Sequence, residues 1–318
     1  MRQHDYEDLY DDQPLRRQAR TRRRGRFDEP EPTRSGRLTE AERVRLTKLR
    51  DDAYTENQLP DGADRWSTWD DAEHGPSPRP EWVVTELAAV DTDLGVLKTG
   101  KEADVHLLRR GLPGTPGVLL AAKRYRSDEH KLFHRDAGYL EGRRMRRSRE
   151  MRAMAQRSAF GRNLIAEQWA VAEFAALSRL WTLGAPVPYP VQREGTELLL
   201  EFLGEEDGTA APRLAQVRPD PGELTDLWFQ ATAALELLAS QGLAHGDLSA
   251  YNLLVHRGRL MVIDLPQVVD VVANPGGVEF LARDVRNLAG WFHGRGLGEH
   301  VTNTEELLAE LVSAAGLT

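Results

Sequence analysis

Three residues suited to phosphoryl-transfer chemistry lie between positions 247 and 264. Asp247 and Asn252 belong to the segment His-Gly-Asp-Leu-Ser-Ala-Tyr-Asn, and Asp264 ends the run Leu-Met-Val-Ile-Asp. Phosphoryl transfer requires mainly an oriented nucleophile and metal ions held against the phosphates. Asp247 could orient an attacking hydroxyl or accept its proton, whereas Asn252 and Asp264 offer the hard oxygen ligands that Mg2+ prefers. Each residue alone could be a turn or strand-end residue, but the three together favour phosphoryl transfer.

A β-hairpin would bring two of these residues together. Residues 253–255 form a short apolar run, 256–259 a turn and 260–263 a returning apolar run. Alternating runs and turn residues of this kind predict two antiparallel strands. Asn252 and Asp264 would then lie at the same end of the hairpin.

Lys123 and Glu173 both conflict with their apolar surroundings. Lys123 follows the apolar, strand-like run from Val118, and Glu173 lies on the apolar stripe of a helix predicted over 164–181. A carboxylate in such a stripe is costly to desolvate unless a cation meets it. We therefore predict a Lys123–Glu173 ion pair that directs the ammonium at nucleotide phosphates. In the alternative, Lys123 reaches solvent from an edge strand and Glu173 lies at the helix margin.

Composition agrees with a cytoplasmic enzyme. The chain has 318 residues, enough for two lobes, and no cysteine, which excludes disulfides and thiolate metal sites. No apolar run approaches the roughly 20 residues of a membrane helix, and the charged N-terminus lacks the apolar core of a signal peptide. We therefore expect no membrane association. The net charge of -8 argues against general affinity for nucleic acids, although arginine is concentrated in two segments.

The pattern divides the chain into an N-terminal extension and two lobes. Residues 1–80 are polar and hold seven arginines between positions 16 and 26, so we expect them to be disordered. Residues 81–203 are expected to form a β-rich lobe that carries one long helix and a flexible basic loop over 126–162. Residues 204–318 are expected to form a mainly helical lobe.

An extended run from Glu197 to Gly204 would join the two lobes. A connector of this kind could present backbone groups of Glu201 and Leu203 to the edge of an adenine base. In the second lobe, apolar spacing predicts helices over 224–238, 278–291 and 305–312.

The order and spacing of these motifs resemble the RIO family of atypical protein kinases over roughly residues 82–292. The matching segments begin at Thr99 (Thr-Gly-Lys-Glu-Ala-Asp-Val), Ala122 (Ala-Lys-Arg-Tyr), Trp169 (Trp-Ala-Val-Ala-Glu), Leu200 (Leu-Glu-Phe-Leu-Gly), His245 (His-Gly-Asp-Leu-Ser-Ala-Tyr-Asn) and Val262 (Val-Ile-Asp-Leu-Pro-Gln). The Gly-x-Gly-x-x-Gly phosphate loop of ordinary kinases is replaced by Gly-Lys-Glu-Ala, and no Ala-Pro-Glu motif follows Asp264. The resemblance implies a two-lobed α+β fold of protein-kinase type without the usual activation segment.

The resemblance also implies how the residues bind ATP and Mg2+. Lys123, positioned by Glu173, would contact the α and β phosphates. Lys101, in the segment that replaces the phosphate loop, would join Glu201 and Leu203 in binding the nucleotide.

The same resemblance implies the catalytic roles. Asp247 would be the general base, and Asn252 and Asp264 would hold Mg2+. The family further implies that Asp264 accepts phosphate transiently, which gives an ATPase-like cycle beside serine/threonine kinase activity and autophosphorylation. Ser249 stands where ordinary protein kinases carry a catalytic lysine, which favours slow turnover or a switch.

Two other classes of function remain open. Small-molecule phosphotransferases of the aminoglycoside or choline kinase type share the His-Gly-Asp-Leu-x-x-x-Asn loop, but the basic segment 126–162 stands against them. A non-catalytic assembly factor that binds nucleotide and RNA would have no need of the complete set of catalytic residues. The expected partners are a protein substrate or the chain itself, with Ser148 as a candidate autophosphorylation site. RNA or a ribosomal particle could bind through the arginine-rich segments.

We predict that any affinity for RNA resides in Arg16 to Arg26 and Arg143 to Arg149. Deleting residues 1–80, or neutralising the arginines at 143, 144, 146 and 147, should each weaken RNA binding and leave ATP turnover largely intact. Binding through phosphates should also fall steeply with salt and show little base preference. Filter binding over a salt series would measure this, and a full-length protein that binds no RNA or ribosomal particle at low salt would refute it.

Overall fold

The computed structural model describes residues 59–126 and 159–317, with side chains of the second range from residue 165. These residues form a β-rich N-terminal lobe and a mainly helical C-terminal lobe, which confirms the predicted two-lobed α+β class of kinase-like fold. The predictions for residues 1–58 and 127–158 lie outside the described residues, and they include both arginine-rich segments and Ser148.

A seven-stranded antiparallel sheet forms the N-terminal lobe within the described residues. Its strands are β1 (Arg65–Trp66), β2 (Glu73–His74), β3 (Val90–Thr99), β4 (Ala103–Gly111), β5 (Val118–Tyr125), β6 (Pro190–Glu194) and β7 (Glu197–Glu201). The strands are hydrogen-bonded in the order β1-β3-β4-β5-β7-β6-β2. The three strands predicted near 94–98, 105–108 and 118–125 are present as β3, β4 and β5. The run from Glu197 is partly strand, because it pairs with β5 before it leads into the connector.

The first 22 described residues belong to this lobe, which corrects the predicted boundary at residue 81. β1 pairs with β3 and β2 pairs with β6, so these two short strands occupy opposite edges of the sheet. Trp69 lies between them, 5% exposed, and stacks on His74 with ring centroids 3.8 Å apart. Polar composition predicts disorder for residues 1–80, but Trp69 and the two edge ladders attach residues 59–80 to the sheet. The deletion that tests RNA binding without disturbing this lobe should therefore end at residue 58.

The short chain between β1 and β2 requires a strongly curled sheet. Only residues 67–72 separate the two strands. At about 3.5 Å per residue, these residues span less than the distance between the outer strands of a flat seven-stranded sheet, in which neighbouring strands lie about 4.8 Å apart. The twist inherent in β-sheets allows the edges to approach each other.

Each face of the curled sheet has its own apolar packing. One face packs against helix α1 (Ala159–Thr182), which extends the helix predicted over 164–181, and this contact continues into the core of the C-terminal lobe. The other face encloses a smaller cluster of Trp69, Leu108, Leu120, Ala122, Tyr189, Val191 and Leu199. Because successive strand residues face opposite sides, neighbouring residues of β5 serve both cores.

Within the described residues, the C-terminal lobe contains three further α-helices and two small β-ladders. The helices are α2 (Pro221–Ser240), α3 (Gly277–His293) and α4 (Thr304–Ala314), as predicted to within a few residues. Asp220 begins α2 and accepts hydrogen bonds from the N–H groups of Gly222 and Glu223 at 2.8 and 2.9 Å. The predicted hairpin is present as β9 (Leu253–His256) and β10 (Arg259–Val262), and β8 (Leu243–Ala244) pairs with β11 (Val269–Asp270). No helix in the described ranges is long and apolar enough to cross a bilayer.

Asp91 and Arg110 form a fully buried ion pair inside the curl of the sheet. Arg110 is 0% and Asp91 1% exposed. Nε and Nη2 of Arg110 donate to the two carboxylate oxygens at 2.7 and 2.9 Å, and Nη1 donates to Gln192 at 2.5 Å. Arg65 adds a further donor to Asp91 at 3.0 Å. These hydrogen bonds satisfy both buried charges. Removing one residue of the pair would therefore leave the other charge buried without its partner.

Asp91→Ala should lower the free energy of unfolding by about 3–5 kcal/mol, because Arg110 remains charged and buried. The double variant Asp91→Leu/Arg110→Leu should be less destabilised, since neither charge remains. As a control, Glu73→Ala breaks an ion pair to Arg193 that is more exposed to solvent, and it should cost no more than about 1 kcal/mol. Urea denaturation would measure all three, and an Asp91→Ala loss no larger than that of Glu73→Ala would contradict the prediction.

Candidate active site

Glu173 is a buried carboxylate in the cleft between the lobes. It projects from α1 and is 1% exposed. Its Oε1 accepts hydrogen bonds from Lys123 Nζ at 2.7 Å and from the Leu265 N–H at 3.1 Å, and its Oε2 accepts one from the Tyr125 hydroxyl at 2.5 Å. The donors come from β5 and from the segment after β10. Glu173 therefore ties α1 to both of these elements.

Lys123 forms the predicted ion pair with Glu173 and also bonds to Asp264. Its Nζ lies 2.6 Å from Asp264 Oδ1, so the side chain does not reach out to solvent from the strand. Burial disfavours the charged ammonium, but the two carboxylates outweigh burial and raise the pKa of Lys123 above its ordinary value. Lys123 is therefore a fixed cation between two anions, placed to exchange one carboxylate for a phosphate oxygen.

Asp264 ends the hairpin in a conformation that few residue types accept. Its φ is 67°, in the left-handed region that Asp tolerates better than most residues other than glycine. Burial raises the pKa of Asp264, but the charge and the hydrogen bond of Lys123 lower that pKa by a larger amount. The net shift is therefore downward. The carboxylate is therefore ionised at neutral pH.

The hairpin brings Asn252 and Asp264 to the same end, as predicted. Asn252 precedes β9 and Asp264 follows β10, and the N–H of Ile263 donates to the Asn252 carbonyl at 3.0 Å. The Asn252 side-chain amide donates to the carbonyl of Asp247 at 2.9 Å. His245 Nε2 lies 3.1 Å from the carbonyl of Ile263, so the segment 245–252 is held against the hairpin.

Asp284 on α3 holds the backbone of the segment that carries Asp247. Its carboxylate, 0% exposed, accepts hydrogen bonds from the N–H groups of Gly246 at 2.9 Å and Leu248 at 3.1 Å. Asn287 adds a bond to the Leu248 carbonyl at 3.0 Å. Gly246 has a φ of 84°, and a Cβ there would lie 2.6 Å from the carbonyl oxygen of Gln267, so only glycine fits. Burial raises the pKa of Asp284 above its ordinary value.

The predicted nucleotide-binding residues occupy the connector and a hairpin turn. Glu201 ends β7, and its N–H donates to the Tyr189 carbonyl at 2.8 Å. Leu203 follows in the connector, and its carbonyl accepts from the N–H of Ala211 at 2.8 Å. Lys101 is exposed in the turn between β3 and β4, and within the described residues it forms no ion pair with the carboxylates of the cleft.

Two further cations act on Asp264. Lys98 pairs with Val105, which pairs with Lys123, so the three side chains share one face of the sheet. In the C-terminal lobe the guanidinium of Arg213 donates to the carbonyl of Tyr251, beside Asn252. Burial and the charge of Arg213 lower the pKa of Lys98. The cleft around Asp264 therefore has a concentration of positive charge suited to phosphate groups.

Asn252 and Asp264 fit a magnesium ion that is shared with phosphates. No group of three His, Cys, Asp or Glu side chains in the described parts of the chain is arranged to hold a metal ion on its own. Asp264 is anionic and its side chain is 38% exposed. The amide nitrogen of Asn252 is engaged by Asp247, which leaves Oδ1 as its ligand atom. Mg2+ commonly takes one or two protein oxygens and completes its coordination with waters and substrate phosphates.

A strand lysine paired with a helix carboxylate, opposite an Asp-and-Asn loop in a cleft between two lobes, defines a phosphotransferase of the protein-kinase class. The RIO domain family model matches residues 121–306. The chain is 33% identical over 262 residues to the RIO-type serine/threonine-protein kinase Rio1 of Haloferax volcanii, covering 81% of this chain and 82% of that protein. The chain therefore belongs to the RIO family, as the sequence motifs predicted, and its assignment as a RIO-type serine/threonine kinase is confirmed at that level.

Other relatives are longer than this chain. It is 29% identical over 255 residues to the serine/threonine-protein kinase rio1 of Schizosaccharomyces pombe, covering 78% of this chain but 48% of that protein. The chain thus spans about half the length of this fungal relative.

A crystal structure of the Chaetomium thermophilum Rio2 kinase in an ADP/Mg2+-phosphoaspartate complex aligns with a TM-score of 0.47 at 20% identity, covering 71% of this chain and 67% of that one.

Several site residues were not predicted to take part. Asp284 interrupts the apolar face of α3, as Glu173 does on α1, and the same anomaly in the sequence could have revealed it. Tyr125 lies in the motif Ala-Lys-Arg-Tyr, but its hydrogen bond to Glu173 leaves no sign in the sequence. Lys98 and Arg213 carry no local signal, because only the fold places them near Asp264.

Lys123 and Glu173 should behave as one unit in a double-mutant cycle. Lys123→Ala should weaken Mg-ATP binding or turnover, and it leaves Glu173 without one of its donors. Because the two side chains share one contact, the variant Lys123→Ala/Glu173→Ala should be less impaired than the sum of the single losses. Steady-state kinetics with Mg-ATP would measure the cycle, and strictly additive losses would show that the pair does not act together.

Proposed function

We propose that this chain transfers the terminal phosphoryl group of Mg-ATP to a serine or threonine hydroxyl, on a protein substrate or on itself. The observation that carries the proposal is the position of Lys123 between Glu173 and Asp264, at 2.7 and 2.6 Å. Asp247 and Asn252 lie on the loop next to Asp264. The arrangement supplies a phosphate-binding cation, metal ligands and a proton acceptor in one cleft.

Each residue has one part in the proposed reaction. Lys123 releases Asp264 and binds the α and β phosphates while Glu173 keeps it in place. The N–H of Leu203 and the backbone carbonyl of Glu201 bind the adenine edge, and Lys101 lies over the phosphates. Asn252 and Asp264 would hold Mg2+, which would neutralise charge on the phosphate oxygens.

Asp247 acts on the attacking hydroxyl. It orients the hydroxyl and takes its proton as the oxygen bonds to the terminal phosphorus and the bond from that phosphorus to ADP breaks. Ser249, in the position of a catalytic lysine, has no positive charge. We infer that Lys98 and Arg213 take over part of this charge stabilisation, because both act electrostatically on Asp264.

A second activity is phosphate transfer to Asp264 itself. Its carboxylate is ionised and lies in the cleft beside the phosphate-binding lysine, so it can act as the nucleophile in place of a hydroxyl. Hydrolysis of the aspartyl phosphate would then complete an ATPase cycle. Hydroxylamine cleaves acyl phosphates and spares phosphoserine, so it separates the two products.

The proposed partners are a phosphate acceptor and RNA or a ribosomal particle. A protein hydroxyl or the chain's own Ser148 would be the acceptor, and the arginine-rich segments would bring RNA or a ribosomal particle to the enzyme. The absence of cysteine fits a cytoplasmic location.

Asp247→Ala should lower turnover by roughly 10²–10⁴-fold and spare nucleotide binding, because a general base contributes about that much to a rate. Incubation of the pure protein with terminally labelled ATP and Mg2+ would locate the label on protein, water or a small molecule. Asp226→Ala, on the exposed side of α2, is the matched control and should retain full activity. Equal turnover in the wild type and Asp247→Ala would refute the assignment, and a wild type that binds ATP without turnover would identify a non-catalytic factor.

A further inference from the structure

We propose that Tyr125 is a positioning residue that fixes Glu173, so that Lys123 can exchange Asp264 for a phosphate while Glu173 stays in place. The inference rests on the proposed function and adds a residue to its machinery. Tyr125 lies two residues after Lys123 on β5, so both side chains are on the same face of the sheet. It is 4% exposed.

Tyr125 contacts both members of the ion pair. Its hydroxyl donates to Glu173 Oε2 at 2.5 Å, and its ring lies 5.2 Å from the Lys123 ammonium, within the range of a cation–π contact. The ring also meets Trp169 on α1, with centroids 6.2 Å apart. The phenol therefore adds a second link between β5 and α1, independent of the lysine.

The hydroxyl determines which Glu173 oxygen is available to the other donors. Within the described residues, Tyr125 is the donor to Oε2, whereas Lys123 and Leu265 share Oε1. Without the hydroxyl, the carboxylate could rotate to give both oxygens to Lys123. It would then lose the bond to the Leu265 N–H, which follows Asp264 directly. Tyr125 thus keeps Glu173 attached to the segment that carries Asp264.

The phenol remains a donor over the working pH range. Burial and the neighbouring charge of Glu173 raise the pKa of Tyr125 well above its ordinary value. A group that stays protonated and buried can hold the carboxylate while Lys123 changes its other partner. Lys123 cannot do this alone, because the same ammonium must exchange Asp264 for a phosphate oxygen.

Tyr125→Phe tests this role, because it keeps the ring and removes the hydroxyl. The loss of a hydrogen bond to a buried charge should lower kcat/KM for Mg-ATP by roughly tenfold or more. Tyr189→Phe is the matched control: its buried hydroxyl donates to the Pro76 carbonyl at 2.9 Å in the other core of the sheet, and its loss should leave kcat/KM near the wild-type value. In a Glu173→Ala background, the effect of Tyr125→Phe should disappear.

Hydrogen exchange gives a second measurement that does not depend on activity. Tyr125→Phe should accelerate exchange of the Leu265 amide in peptides that cover 264–268, whereas Tyr189→Phe should not. Equal kinetics and equal exchange in the two variants would overturn the inference. Absence of turnover in the wild type would instead refute the proposed function, and the exchange experiment would still decide whether Tyr125 fixes Glu173.

Discussion

The burial of Glu173 is the constraint on which the rest of the cleft depends. A carboxylate removed from water needs several donors, and the three donors to Glu173 come from two separate parts of the chain, β5 and the segment after β10. Each donor must lie within hydrogen-bonding distance of the carboxylate for the folded state to be stable. The requirement fixes the position of α1 against β5 and fixes the turn after β10. The fixed position of the Lys123 ammonium follows from the electrostatics of folding itself.

A second buried carboxylate repeats the arrangement in the other lobe. Asp284 projects from α3 and accepts hydrogen bonds from two backbone N–H groups of the segment that carries Asp247. Both of these hydrogen bonds come from the backbone, so the segment around Asp247 is held through its main chain. One carboxylate therefore orders the side of the cleft that carries Lys123, and the other orders the side that carries Asp247. Preorganised groups of this kind need little rearrangement when charge develops in a transition state.

Much of this organisation was predictable from the sequence, for identifiable reasons. Long helices with a clear apolar stripe and the β9–β10 hairpin have strong local patterns. The Lys123–Glu173 pair was predictable because each residue is a charged side chain in an otherwise apolar segment. Each charge compensates the other when both are buried. The motif order then predicted the family.

The remainder depended on contacts distant in sequence. The two-residue strands β1, β2, β8 and β11 are too short for periodicity to show, and residues 59–80 have the polar composition of a tail. Lys98 and Arg213 lie on opposite lobes, which meet only in the folded chain. The sequence alone therefore does not place them near Asp264. Asp284 also interrupts the apolar face of its helix, so the sequence pattern that predicts a buried Glu173 applies to it as well.

The curled sheet has a consequence for self-association. Residues 59–74 supply the outermost strand at both edges, so β3 and β6 each have a partner. A fragment that started at residue 81 would leave the main-chain groups of Val90, Asp91, Gln192 and Arg193 without these partners. Bare strand edges are templates for pairing with other copies of a chain. Two short edge strands and the buried Trp69 between them thus cover the exposed main chain of β3 and β6, which should protect the lobe from aggregation.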